Sequence, residues 1–237
     1  MRDDEGTLMD TWNDDTGNDD TLAHMMSARL CHDLVGAAGG ITAGLDVLGD
    51  DLRAGGGVSA AEALGLLRGS SEQINGRLAF FRRAFGRGND SLTPGEGGAL
   101  LGAYLRGGRV ALDWEVGEGD GWALPAAGAR LMLNLGLAAV AALGRGGTLT
   151  ARFALLSADR GGLGMALSAE GAGARLADGD TDILLGRAAP APTPRDVPAH
   201  LAAREAKRLG VDIELAMPTP GMVQMAVVLP TMPAAPA

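Results

Sequence analysis

The sequence predicts an α plus α/β chain: a long N-terminal helical hairpin that forms half of a dimeric four-helix bundle, followed by an α/β sandwich domain. Three observations lead there. Apolar residues recur at helical spacing through the first third of the chain. Strand-like alternation begins only near Val110, and a breaker cluster of Gly86, Gly88, Asn89 and Asp90 separates the two regions. With 237 residues, two domains with cores of their own are expected.

The expected divisions are an acidic tail over 1–20, a hairpin over 21–88 and an α/β domain over 98–231. Residues 1–20 carry Asp3, Asp4, Glu5, Asp10, Asp14, Asp15, Asp19 and Asp20 against Arg2, most of the net charge of −9. So polar and charged a stretch reads as disordered. Asp20 or Thr21 is a good N-cap for a first helix running to about Arg53, which Gly55 to Gly57 end. Ser59 and Glu62 then form a capping box for a second helix, whose Leu64, Leu67, Ile74, Leu78, Phe81 and Phe85 follow a heptad seam. One hairpin has half a core, so two chains are expected to pair.

Beyond the hairpin, Val110 to Val116 alternates as a strand, and Pro125 opens an apolar helix that closes at Gly144. Thr148 to Leu156 and Leu163 to Ser168 read as further strands. A proline-rich loop over 188–198 precedes an amphipathic helix, Val197 to Leu209. Val211 to Ala216 and Met222 to Leu229 flank the turn Pro218 to Gly221 as a closing pair. One sheet with helices on one face accommodates this order.

Composition excludes several functions. Outside the tail the chain is close to neutral, which argues against nucleic-acid binding. Cys31 is the only cysteine, so no internal disulfide forms, and no Cys/His cluster offers a zinc site. The first residues are acidic where a signal peptide is basic. Leu131 to Leu143, the longest mainly apolar run, is too short to span a bilayer and contains Asn134. A cytoplasmic protein without membrane attachment is expected.

The chemistry concentrates at Leu30-Cys31-His32-Asp33-Leu34-Val35-Gly36. At roughly 100° per residue, Leu30, Leu34, Ile41, Leu45, Leu48 and Leu52 form one stripe about 60° wide, and His32 points about 175° from its middle. Gly36 and Gly39 lie within about 40° of His32, which bares the surface beside the imidazole. A lone exposed histidine is ordinarily just solvated. Here an acid follows it and glycines flank it, a combination suited to a phosphorylatable nucleophile whose second ring nitrogen Asp33 orients. Arg29, nearly a turn earlier, is placed to meet a partner's acids or the phosphate, and Arg77 on the second helix is a candidate for the same contact face. His24 and His200 are weaker candidates with structural or solvated roles.

His32-Asp33-Leu34 with Ile41 and Leu45 resembles the H-box of the histidine-kinase superfamily, without the proline usual after it, and the second region resembles the kinase ATP-binding (Bergerat-like) fold in element order. Arg130 to Ala138 has the shape of the N-box and Asn134 fits its first asparagine, but Ala138 stands where the magnesium-holding asparagine belongs. Ala169-Glu170-Gly171-Ala172-Gly173 has the shape of the adenine-reading Asp-x-Gly-x-Gly box with alanine for aspartate. Alanine neither accepts the adenine hydrogen bond nor ligates a metal. A kinase-like hairpin joined to a degenerate ATP domain is similar to the alphaproteobacterial ChpT-type histidine phosphotransferases.

That resemblance implies a homodimer relaying phosphate in a cell-cycle phosphorelay, from the receiver domain of a hybrid kinase through His32 to response regulators of the CtrA and CpdR type, without ATP. No cofactor is expected in this chain, the Mg2+ coming from the receiver's acidic pocket. Two rival readings are an ATP-dependent histidine kinase, which Ala138 and Ala169 count against, and a dimeric scaffold that binds receivers without carrying phosphate.

Overall fold

The computed structural model describes residues 6–53, 59–117, 121–156, 162–187 and 191–233. Helix α1 runs Gly6–Arg53 and α2 runs Ser59–Ala84, antiparallel to it. The expected start of α1 near Asp20 is corrected: residues 6–20, expected to be disordered, continue the helix, and residues 1–5 lie outside the described residues. No proline interrupts the segment. Extending an existing helix also avoids the cost of nucleating one, and Asp19 is held to Arg204 at 2.6 Å. Gly55 to Gly57 and the Ser59 side chain of the expected capping box also lie outside the described residues.

The hairpin packs through small residues rather than through the leucine stripe. Ala37, Gly44 and Asp51 of α1 are buried, and a Cβ on Gly40 would stand 2.3 Å from Ser70 Oγ, one on Gly44 2.9 Å from Leu67 Cγ. This seam lies about 80° around α1 from the stripe, so Leu45 and Leu52 stay 54% and 70% exposed.

Helix α3, Pro94–Leu105, is an element beyond those expected, and Thr93 and Glu96 close a full capping box around Pro94 at its start. It begins before residue 98, the expected domain boundary. Then follow β1 (Val110–Glu115), β2 (Trp122–Ala123), α4 (Ala126–Ala142), β3 (Gly147–Leu156), β4 (Gly162–Glu170), α5 (Asp180–Leu184), α6 (Val197–Leu209), β5 (Ile213–Ala216), β6 (Met222–Leu229) and β7 (Met232–Pro233). The main sheet has the order β1-β3-β4-β6-β5, with β1 parallel to β3 and the other pairs antiparallel. β2 pairs with β7 as a separate ribbon.

Alternation decides which face of the sheet is covered. Leu149, Ala151 and Phe153 of β3, Leu163, Met165, Leu167 and Ala169 of β4, and Val223, Met225 and Val227 of β6 point inward under α4 and α6. Leu131, Leu135 and Leu137 of α4 are fully buried against them. The core then continues beyond the domain. Phe80, Phe81 and Ala84 at the end of α2 belong to the same buried cluster, and Tyr104 of α3 packs on both rings at centroid distances of 4.9 and 5.6 Å. Gly76 permits this, since a Cβ there would lie 2.6 Å from the main-chain oxygen of Ala103. Hairpin and sandwich therefore share one hydrophobic core.

Candidate active site

His32 emerges from α1 with its side chain 85% exposed. A Cβ at Gly36 or Gly39 would meet nothing within 4 Å, so the helix surface beside the ring is bare, as the wheel predicts. Its neighbour Asp33 faces the other way, into the crossing with α2 and α3, where the side chain is only 11% exposed. One carboxylate oxygen, Oδ1, is 3.0 Å from His32 Nδ1. The other, Oδ2, accepts from Arg29 Nε and from the Tyr104 hydroxyl, each at 2.9 Å.

Two expected contact residues are placed differently. Arg29 is not free to meet a partner: with 13% of its side chain exposed, it pairs with Asp33 and donates Nη1 to the main-chain oxygens of Pro194 and Arg195 at 3.3 and 3.2 Å. Arg77 is half-buried, and its Nη1 donates to the main-chain oxygen of Asp33. In an α-helix that carbonyl lies along the axis, so Arg77 braces α1 instead of lining the contact face. A guanidinium one turn from a buried carboxylate is drawn to it, because leaving that charge unpaired would be costly.

The charges follow from these partners. Burial pushes the Asp33 carboxyl up, but the Arg29 guanidinium, the His32 ring and the Tyr104 hydroxyl together outweigh it and hold the group below the usual carboxylate range. Burial opposes the Arg29 charge too, and Tyr104 and Asp33 more than restore it, so its guanidinium holds its proton more firmly than usual. Burial, reinforced by the Asp33 charge, raises Tyr104 above the ordinary phenol value, so it keeps the proton it donates. A carboxylate can only accept. The hydrogen-bond network thus assigns the Nδ1 proton to the contact with Asp33, and in the neutral ring the free lone pair falls to Nε2, on the solvent side.

The side chains of segments 130–138 and 169–173 are held by packing and hydrogen bonds within the fold. Asn134 is fully buried and its Nδ2 donates to the main-chain oxygens of Ala84 and Arg130, both at 2.9 Å, stitching α4 to the end of α2. Arg130 pairs with Glu205 of α6 at 2.6 Å. Ala138 and Ala169 are 6% and 0% exposed, small groups in the core. Gly171 donates its N–H to Gly221 and ends a strand, and Gly173 takes the left-handed φ of 76° in the turn that follows. Among the described residues, no group of three or more His, Cys, Asp or Glu is placed to hold a metal ion, and no helix is long and apolar enough to cross a membrane.

Tyr104 is the member of this cluster to which nothing in the sequence points. The Thr93-Pro94-Gly95-Glu96 start followed by Leu100, Leu101, Tyr104 and Leu105 marks its helix, but nothing local links residue 104 to residue 33.

Comparison with known proteins bears on this arrangement. Residues 94–220 match the family described as histidine phosphotransferase C-terminal domain; the match covers Tyr104, while His32 lies on the hairpin before it. The protein phosphotransferase ChpT of Brucella abortus (strain 2308) is 29% identical over 134 residues, covering 55% of this chain and 60% of that protein, less than two thirds of its length. A bacterial phosphotransferase of known structure superposes with a TM-score of 0.70 at 24% identity, over 87% of this chain and 95% of that one, and so shares the fold. The mycobacterial sensor histidine kinase MprB superposes with a TM-score of 0.43 at 16% identity, over 62% of this chain and 100% of that one. With more than half of its length in that match, the chain belongs to the histidine phosphotransferase family.

Proposed function

We propose that the protein is a phosphorelay carrier: His32 takes a phosphoryl group from a receiver-domain aspartate and passes it to the aspartate of a second receiver, without using ATP. The observation that carries this reading is an 85% exposed imidazole whose Nδ1 contacts a buried, doubly braced carboxylate. In the first transfer the bond between phosphorus and the receiver's carboxylate oxygen breaks as a bond from His32 Nε2 forms. The electron pair leaves with that carboxylate, and the imidazole becomes cationic, its Nδ1 proton shared with Asp33. In the second transfer another receiver's carboxylate attacks phosphorus, and the electron pair returns to Nε2. No net proton is consumed. Mg2+ belongs to the receiver in this scheme, and Gly36 and Gly39 let its surface approach.

The shared core supports a carrier over an autokinase. A kinase domain must carry its nucleotide to the histidine, whereas here Phe80, Phe81, Ala84 and Asn134 fasten the sandwich to the hairpin. Homodimerisation accounts for the exposed Leu45, Leu52, Leu64 and Leu78. Hybrid-kinase receivers as donors and regulators of the CtrA and CpdR type as acceptors follow from the ChpT resemblance, as does a place in cell-cycle signalling in the cytoplasm. The protein is tested by incubation with a labelled, phosphorylated receiver: wild type gains an acid-labile label and His32→Gln does not. Label gained from ATP alone, or by His32→Gln, would overturn the reading.

A further inference from the structure

We propose that Tyr104, on the first helix of the sandwich domain, is a positioning residue for His32: its hydroxyl, acting with Arg29, holds Asp33 against the imidazole so that Nε2 faces the incoming phosphoryl group. The proposal rests on the relay reading above and assigns the second domain a part in it.

Three observations converge on this assignment. The Tyr104 hydroxyl and Arg29 Nε each donate to Asp33 Oδ2 at 2.9 Å, so one carboxylate oxygen is held from two sides, and Arg29 Nη2 lies 3.5 Å from the same hydroxyl. That leaves Oδ1 directed at His32 Nδ1. The ring of Tyr104 is locked by the Phe80 and Phe81 rings, which fixes where its hydroxyl points. Finally, the Arg29 fork is anchored by the main-chain oxygens of Pro194 and Arg195, so of the two supports of Asp33 one, Tyr104, belongs to the second domain and the other, Arg29 on α1, is held in place by it.

A free carboxylate beside an exposed histidine swings among rotamers and permits either ring nitrogen to carry the proton. With Oδ2 occupied, rotation about the Asp33 side chain would break two hydrogen bonds to a charged acceptor. The imidazole is thereby kept in one tautomer before any partner arrives, and in the phosphorylated state the same oxygen faces the imidazolium proton. Tyr104 and the loop oxygens of 194–195 are the groups that the second domain directs at Asp33 and at its partner Arg29.

Tyr104→Phe removes the hydroxyl and leaves the ring packing in place. In single-turnover transfer from a phosphorylated receiver, its maximal rate is expected to fall about tenfold, with the half-saturating receiver concentration unchanged, because the contact face is untouched. In an Asp33→Asn background the same change is expected to have no further effect. A second readout needs no receiver. Ring 15N shifts of the full chain at about pH 8.5, where imidazole is neutral, with His32 assigned by comparison with His32→Gln, are expected to report a proton on Nδ1 in wild type and a mixture of tautomers in Tyr104→Phe. Wild-type tautomer and rate in Tyr104→Phe would overturn the proposal. A label on His32→Gln would instead overturn the relay itself, and the ring shifts would still decide the role of Tyr104.

Discussion

Arg29 and Arg195 are joined side chain to main chain: the guanidinium on α1 donates to the Arg195 carbonyl at 3.2 Å and to its neighbour Pro194 at 3.3 Å, while its Nε holds Asp33 at 2.9 Å. One side chain thus fastens the acid beside His32 to the loop that precedes α6.

Arg29→Ala strands a nearly buried carboxylate and two carbonyl oxygens. The expected cost is about 1–3 kcal/mol of stability, read as a lower urea midpoint at unchanged slope. Arg29→Lys keeps the charge without the fork and is expected to recover only part of it.

Two glycines should respond oppositely to the same substitution. Gly36→Ala meets open space in a helix interior, so stability is expected to rise by up to about 1 kcal/mol, while the new methyl beside the imidazole slows transfer from a receiver. In Gly76→Ala the Cβ would stand 2.6 Å from the Ala103 oxygen, a main-chain atom that cannot turn aside. A loss of about 1–3 kcal/mol is expected, with α3 and Tyr104 displaced. Thermal melts and transfer assays of both variants check the pair.

The acid side of the stability profile should depend on His200. Burial holds its imidazole below the ordinary histidine value, with Asp196 and Asp180 opposing that shift in part. The folded state therefore binds fewer protons than the unfolded chain as pH falls below about 6.5. Stability is expected to drop through that range, and His200→Gln to flatten the drop. Urea unfolding at about pH 7.5 and 5.5 measures it.

The leucines of the hairpin test the dimer. Leu45 and Leu78, one from each apolar stripe of the hairpin, are 54% and 47% exposed in the single chain, apolar surface that a second copy would cover. Leu45→Glu with Leu78→Glu is expected to convert a dimer into a monomer in sedimentation equilibrium. A wild-type monomer would contradict the four-helix bundle.

Helical spacing placed the hairpin and put His32 opposite the leucine stripe, and two-residue alternation placed the five strands of the main sheet, because each periodicity is a local property of the chain that burial on one face imposes. The bare surface at Gly36 and Gly39 was legible for the same reason. The partner of Asp33 was not. Residues 33 and 104 come together only because Phe80, Phe81 and Tyr104 share a core across the α2–α3 crossing, which no local pattern encodes. Tertiary structure alone likewise turned Arg29 and Arg77 inward, since a buried carboxylate and an accessible carbonyl drew two guanidinium groups that composition could only place on a surface. The sequence by itself determined which histidine is presented; packing decided what holds its acid still.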